Sequence, residues 1–259
     1  MSRIHTTAVI SPAASVDDSA QIGPYVVVGG PVVIGPGVRL HAHAVVYGPT
    51  RLDADVEVWP MAVVGGDPQD LSYGGGATEL LVGPRTVIRE GASVHRAAAA
   101  TPTRIGADCL IMGQVHVGHD SQIGNGVVVS HGAGIAGHVQ IGDGAVIGGL
   151  AGIHQHVRVG AYAMVGGMAK VIQDVLPCSM VDGNPARHRK INTPGLGRAG
   201  VPEGEHAAAR AALWAVRDGG PVTGAGHAVD LIASFLKEPS KRGIAPFAHP
   251  RNQRAMREA

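Results

Sequence analysis

The sequence predicts an all-β solenoid, a stack of short parallel strands, followed by a small C-terminal α-helical domain. Three observations carry that reading. Aliphatic residues recur every six positions along most of the chain. Glycine accounts for 39 of 259 residues, roughly twice its usual share. Rings are scarce, with two Trp, four Tyr and two Phe. A layered domain of this length would fill its core with aromatic side chains, so this core must be narrow and built from small and β-branched residues.

The first run of the repeat places aliphatics at Ile10, Val16, Ile22, Val28, Ile34, Leu40, Val46, Leu52, Val58 and Val64. It resumes at Val82, Ile88 and Val94. A third run goes unbroken from Ile105 through Val117, Ile123, Ile135, Ile147 and Val159 to Val171. Four residues after an aliphatic stands a small or β-branched residue, as at Ala14, Val26, Cys109, Val115, Ser121 and Ala133. Such a period matches neither a helix nor one continuous strand. It matches a short strand and a tight turn, with Gly, Asp and Asn supplying the turn conformations. Three such units make a triangular coil of eighteen residues, and stacked coils pair as parallel strands about 4.8 Å apart. The aliphatics fill the prism and the small residues its corners. The pattern resembles the hexapeptide repeat of the left-handed parallel β-helix. The hand comes from that resemblance alone, because the general crossover rule favours the right-handed form.

Two interruptions mark extruded loops. Residues 65–81 lack the aliphatics but keep the phase, which reads as a loop of one coil's length. Residues 95–104 break the phase. Loops thrown from a rigid solenoid are where function concentrates. The repeat ends near Pro177, so residues 1–191 form the solenoid and residues 192–259 a connector with a helical domain. The connector, Asn192 to Pro202, is rich in Gly and Pro. Glu203 to Arg217 and His227 to Lys237 read as two helices.

Composition excludes several function classes. A net charge of +1 argues against general nucleic-acid binding. Two cysteines exclude a disulfide scaffold, and 45% hydrophobic against 16% charged residues excludes disorder. Met1 to Ser11 has no apolar signal core, and no aliphatic run approaches membrane-spanning length. A cytoplasmic protein without stable membrane insertion is expected.

Fourteen histidines are many for so neutral a chain. Eighteen-residue stacking puts His119 on Gly137, Asp120 on His138, and His138 on His156. A neutral histidine can take a proton from a hydroxyl, a neighbouring carboxylate can orient it, and a glycine N–H can stabilise an oxyanion. His119, Asp120 and Gly137 supply these parts, although spacing alone does not select them over solvated turn residues. Asp120, His138 and His156 also form a column of metal-ligand type, for which a hydrogen-bond ladder is the competing reading. The γ-class carbonic anhydrases, trimers on the same prism, offer a zinc alternative. Gly118-His119 and His131-Gly132 fit it, but the middle ligand position holds Asn125. Cys109 sits at a corner position and reads as packing; Cys178 has no evident His partner.

The segments GGDPQDLSY (65–73), VHR (94–96), VHVGHDSQIGN (115–125), AGHV (136–139), IGGLAGIHQ (147–155), QDV (173–175), GNPA (183–186) and SKRGI (240–244) carry a resemblance. In order and spacing they are similar to the acyl carrier protein-dependent UDP-N-acetylglucosamine O-acyltransferases of lipid A biosynthesis. The resemblance implies transfer of a 3-hydroxyacyl chain from acyl carrier protein to the glucosamine 3-hydroxyl, without metal or cofactor, by a homotrimer with sites between subunits. It implies His119 as general base, with Asp120 beside it, and Gly137 as oxyanion donor. It places Asp70 and Ser72 in the substrate loop, and His116, His138, His154 and Gln155 along the substrate. Gly167 matches the acyl-chain ruler, and Asn192 and Arg198 match residues near the nucleotide.

The chain also departs from the family. Ser72 stands where the family carries lysine. The nucleotide end, usually Asn-x-Glu-Gly-Leu-Lys-Arg-Arg-Gly, reads here from Asn192 through Pro194, Leu196 and Arg198 to Gly200. The Glu and two of the basic residues are missing, which weakens charge contacts to a diphosphate. Another nucleotide sugar as acceptor therefore stays open, as does a non-catalytic trimeric scaffold.

Overall fold

The computed structural model describes residues 3–248. Each coil gives one strand to each of three sheets, so every third strand in the chain is a neighbour in space. Among the described residues the sheets hold nine, eight and ten strands; they are called the first, second and third here. Register is set by the eighteen-residue spacing: Val117 pairs with Ile135, Ile123 with Ile141 and Val129 with Ile147, all in parallel. The repeat aliphatics point inward and form one continuous core, with Ile34, Leu40, Ile88, Ile111, Ile135 and Ile147 at most 2% exposed. Burying each such side chain contributes about 1.5–3 kcal/mol. The corner residues Ala20, Val26, Val115 and Ala133 are buried with them. Ile10 and Val16, in the end coil, are only partly covered.

Both interruptions leave the prism at one corner, between the first and second sheets. The first is shorter than a coil. Val82 pairs with Leu52, thirty positions back instead of eighteen, so twelve residues are extruded. Twelve is two hexads, which is why the phase survives. The second interruption adds five residues, because Val82 pairs with Ile105.

The coils continue past Pro177. Ser179–Asp182 joins the third sheet in parallel and then turns into an antiparallel strand, Arg187–Ile191. The hexad pattern does not predict this hairpin. His188 on it is buried: its Nε2 accepts the Leu176 N–H at 3.0 Å, and its Nδ1–H donates to the Ala245 carbonyl at 2.8 Å. Burial pushes its imidazole down to about 4, so the ring is neutral.

The connector contains a short helix, α1 (Thr193–Arg198), which was not expected of a Gly/Pro-rich stretch. Pro194 sits in its first turn, where a missing N–H costs nothing, and the Asn192 side chain caps it. A 3₁₀ turn over Glu203–Glu205 then leads into α2 (His206–Arg217), and α3 spans His227–Lys237 as expected. Cys178, Ile191, Leu196, Ala209 and Ala228 make a second core joining these helices to the last coils. A buried ion pair fixes α3 to the prism. Arg158 Nε donates to Asp174 Oδ2 at 2.8 Å, Asp174 is fully buried, and Arg158 also reaches the Phe235 carbonyl at 3.2 Å. Among the described residues no helix is long and apolar enough to cross a membrane.

Candidate active site

The strand His116–Val117 ends at Gly118, the chain turns through His119 and Asp120, and the next strand begins at Gln122. This turn lies at the corner from which both loops emerge. Asp120, His138 and His156 follow one another up the corner with φ of 58°, 61° and 64°, a left-handed conformation that Asp and His tolerate better than most residues. His119 Nδ1 lies 2.6 Å from Asp120 Oδ2. Burial works against the Asp120 charge, but the His119 contact and the N–H groups of Ala98 and Ala99 hold its carboxyl below the usual range. A charged carboxylate on Nδ1 fixes the proton there, which leaves Nε2 as a proton acceptor.

Gly137 lies one coil above His119. A Cβ at Gly137 would meet Cε1 and Nε2 of the ring at 2.7 Å, so the close approach requires glycine. At the next corner the equivalent N–H groups of Ala107 and Asn125 are taken by the side chains of Asn125 and Asp143. Among the described residues the Gly137 N–H has no such acceptor. It is an open donor beside the imidazole. Gly137→Ala is therefore expected to leave the fold intact, because its φ is ordinary, and to lower kcat about 100-fold by displacing the ring. Thermal melting and steady-state kinetics on the purified variant check both halves.

His116, His138, His154 and His156 lie at or beside the same corner. His138 Nε2 is 3.8 Å from Asp120 Oδ2, and its ring stacks on His156 at 4.6 Å. His116 Nδ1 meets Ser93 Oγ at 3.1 Å, and burial, with the His95 and His119 charges, pushes its imidazole down. His154 Nδ1 accepts Arg242 Nη2 at 2.8 Å, and Arg242 Nε donates to the Gln155 carbonyl at 2.9 Å. Arg242 and Ser93 were not singled out from the sequence, although Arg242 lies in the SKRGI segment.

The metal reading is tested by distance. His119, Asp120 and His138 bring three ligand-type atoms within 4.8 Å. Two ligands on a tetrahedral zinc stand roughly 3.3 Å apart, given bonds of about 2.0–2.1 Å. The 2.6 Å contact of His119 with Asp120 has the spacing of a hydrogen bond instead. Asn125, the middle position of the zinc alternative, uses its side-chain oxygen on the Ala107 N–H at 2.9 Å.

The first loop brings in Asp70. Its Oδ1 accepts the Ser72 N–H at 2.9 Å and the Ser72 hydroxyl at 2.8 Å, a local Asx turn. These two bonds, with smaller pulls from the His119 and His138 charges, hold its carboxyl below the usual range. The loop base is clamped where His95 Nδ1 donates to the Asp67 carbonyl at 2.6 Å and Arg96 pairs with the Asp67 carboxylate and the Gly48 carbonyl. No spacing in the sequence marks this clamp, because Gly48, Asp67 and Arg96 meet only once the loop has folded back on the prism.

Three expected site residues lie elsewhere on the chain. Gly167 is exposed at the corner between the third and first sheets. Arg198 is exposed on α1, beside a groove lined by Asn125, Asp143 and Tyr162 at the third corner. Asn192 is buried, and its amide is taken up by capping Gly195 and donating to the Tyr162 carbonyl at 2.8 Å. Cys109 and Cys178 are buried, and burial pushes the Cys178 thiol up to about 12.

The Bacterial transferase hexapeptide (six repeats) family matches residues 13–48 and 102–137. The acyl-acyl-carrier-protein–UDP-N-acetylglucosamine O-acyltransferase of Thermodesulfovibrio yellowstonii is 45% identical over 77% of this chain and 78% of that relative. The corresponding protein of Paraburkholderia xenovorans is 43% identical over 82% of each. Among solved structures, LpxA of Acinetobacter baumannii superposes with a TM-score of 0.85 at 35% identity, covering 94% of this chain and 99% of that one. The UDP-N-acetylglucosamine acyltransferase of Francisella novicida gives 0.88 at 30% identity, covering 96% and 95%. The fold is the left-handed parallel β-helix of hexapeptide repeats. With identity and coverage this high on both measures, the chain belongs to the acyl-acyl-carrier-protein–UDP-N-acetylglucosamine O-acyltransferase family.

Proposed function

We propose that this chain transfers a 3-hydroxyacyl group from acyl carrier protein to the 3-hydroxyl of UDP-N-acetylglucosamine, the first step of lipid A biosynthesis. The observation that carries it is the His119–Asp120 contact at 2.6 Å beside the open N–H of Gly137. His119 Nε2 takes the hydroxyl proton as the sugar oxygen attacks the thioester carbonyl. The Gly137 N–H holds the developing oxyanion. The C–S bond then breaks, and the imidazolium returns the proton to the departing thiolate. Asp120 keeps the ring oriented and stabilises its charge. Asp70 and Ser72 in the loop, and His116, His138, His154 and Gln155, line the sugar and acyl chain. No metal or cofactor takes part.

A homotrimer follows from the same reading. His119, Gly167 and Arg198 occupy three different corners of one prism. A substrate that touches all three bridges more than one chain. A cytoplasmic setting goes with a carrier-protein donor.

A second reading, another nucleotide sugar as acceptor, is favoured by one observation: Asn192 is taken up in a helix cap, and the segment after it lacks the family's Glu and two cations. A panel of acyl carrier protein thioesters against nucleotide sugars tests both. The expected result is free carrier thiol and O-acylated UDP-N-acetylglucosamine. Transfer confined to a different sugar establishes the second reading, and no transfer to any sugar removes both.

A further inference from the structure

The five residues added between the first and second sheets have a geometric consequence at the active corner. They lengthen the connection between those sheets to the seven-residue arc 96–102, which lies across Asp120 instead of projecting away from the prism. The Ala98 N–H donates to Asp120 Oδ2 and the Ala99 N–H to Oδ1, each at 3.1 Å. The backbone N–H of Asp120 donates to Thr103 Oγ1 at 2.7 Å, and Thr103 is fully buried. Gln122 Nε2 donates to the Pro102 carbonyl at 2.7 Å. The arc is also tied to the first loop, because the Glu79 carbonyl accepts the N–H groups of both Ala97 and Thr103, at 3.2 and 3.0 Å. With His119 on Oδ2, both carboxylate oxygens are engaged and the group has one orientation.

We infer that the Ala98 and Ala99 N–H groups are a positioning device for the reaction, a two-donor cradle that fixes the Asp120 carboxylate and moderates the basicity of His119. The inference rests on the proposed role of His119 as base. Two N–H dipoles on a buried carboxylate draw its charge away from the imidazole. Without them the carboxylate would present more negative potential to His119, favour the imidazolium, and leave less free base at neutral pH. The other ionisable groups facing the pair are His138, 3.8 Å from Asp120, His116 on the preceding strand, Asp70 in the first loop, and His156, Arg158 and Lys241, which line the groove beside Asp120. None of these donates a backbone bond to the carboxylate. An irregularity that looks like a fault in the repeat thus adds two main-chain donors to the one side-chain contact, His119, that the prism gives the carboxylate.

Proline at either position removes one donor, whereas glycine keeps it. Expected for Ala98→Pro and Ala99→Pro is a kcat about tenfold lower with KM little changed, and an acid limb of the pH–rate profile moved to higher pH. Ala98→Gly and Ala99→Gly should match wild type in both. NMR titration of the His119 ring nitrogens reads the same shift without any substrate, so it separates failure of the cradle from failure of the proposed reaction. If the proline variants do not fold, Asp120→Asn serves instead: the Ala98 and Ala99 amide protons should move upfield and exchange faster. An unchanged His119 titration in the folded proline variants overturns the inference. So do Ala98 and Ala99 amides that do not respond to Asp120→Asn.

Discussion

Replacing His119 by alanine should lower kcat by about 10³-fold with little change in KM or melting temperature. Removal of a positioned general base costs 10²–10⁴-fold. The ring makes its close polar contact with Asp120 through Nδ1, and it holds no backbone group of the prism. The core beneath it, Val117 and Ile135, is untouched by the change. Loss of the base therefore affects the proton transfer and not the fold. His138 cannot take over, because its ring centroid is 5.2 Å from that of His119 and it stacks on His156. Steady-state kinetics with the preferred donor and acceptor, beside circular-dichroism melting, provide the check. A His119→Ala enzyme retaining a tenth of wild-type kcat refutes the base assignment, whatever its stability.

The largest effect on stability should come from Asp174→Ala. Asp174 is fully buried, binds Arg158 through both its N–H and its guanidinium, and receives the Ala245 N–H on its carbonyl. Deleting the buried partner leaves the Arg158 guanidinium with only the exposed Glu238 carboxylate at 3.5 Å, at a cost of about 3 kcal/mol, the lower end for a broken buried pair. For a chain of this length that lowers the melting temperature by roughly 10 °C. Arg158 also lies over the Phe235 ring at 4.1 Å, so α3 should loosen first. The Arg158→Met/Asp174→Leu double variant, which removes both charges, should recover most of the loss. A melting shift below about 2 °C in the single variant means that the pair does not anchor the helical region.

Much of this molecule is legible along the chain because its contacts are periodic. Eighteen-residue stacking is a one-dimensional rule, so the contact of His119 with Gly137 and the column of Asp120, His138 and His156 follow from counting, although the column is held by ring stacking at 4.6 Å and a 3.8 Å charge contact and not by a hydrogen-bond ladder. The two loops could be located for the same reason, as breaks in the count. Where the period stops, the reading weakens. The first loop kept its phase because twelve residues are two whole hexads, so phase alone misstated its length. The hairpin of Ser179–Asp182 with Arg187–Ile191, the α1 helix and the capping role of Asn192 depend on pairing partners that no repeat announces. Arg242 reaches His154 from 88 residues away, a contact beyond any local pattern.

The sequence by itself determined the solenoid, its corners and the histidine column, because a fixed rise and a triangular cross-section turn chain position directly into spatial position. Only the tertiary structure decided that both loops leave at the catalytic corner and that the second one folds back over Asp120. It also decided that Arg198 stands at another corner, whereas Gly167, eight hexads after His119 in the unbroken repeat, is placed off the catalytic corner by the count alone. A loop's direction depends on which carbonyls and carboxylates its N–H groups meet, here Glu79 and Asp120, and those partners exist only once the coils have stacked.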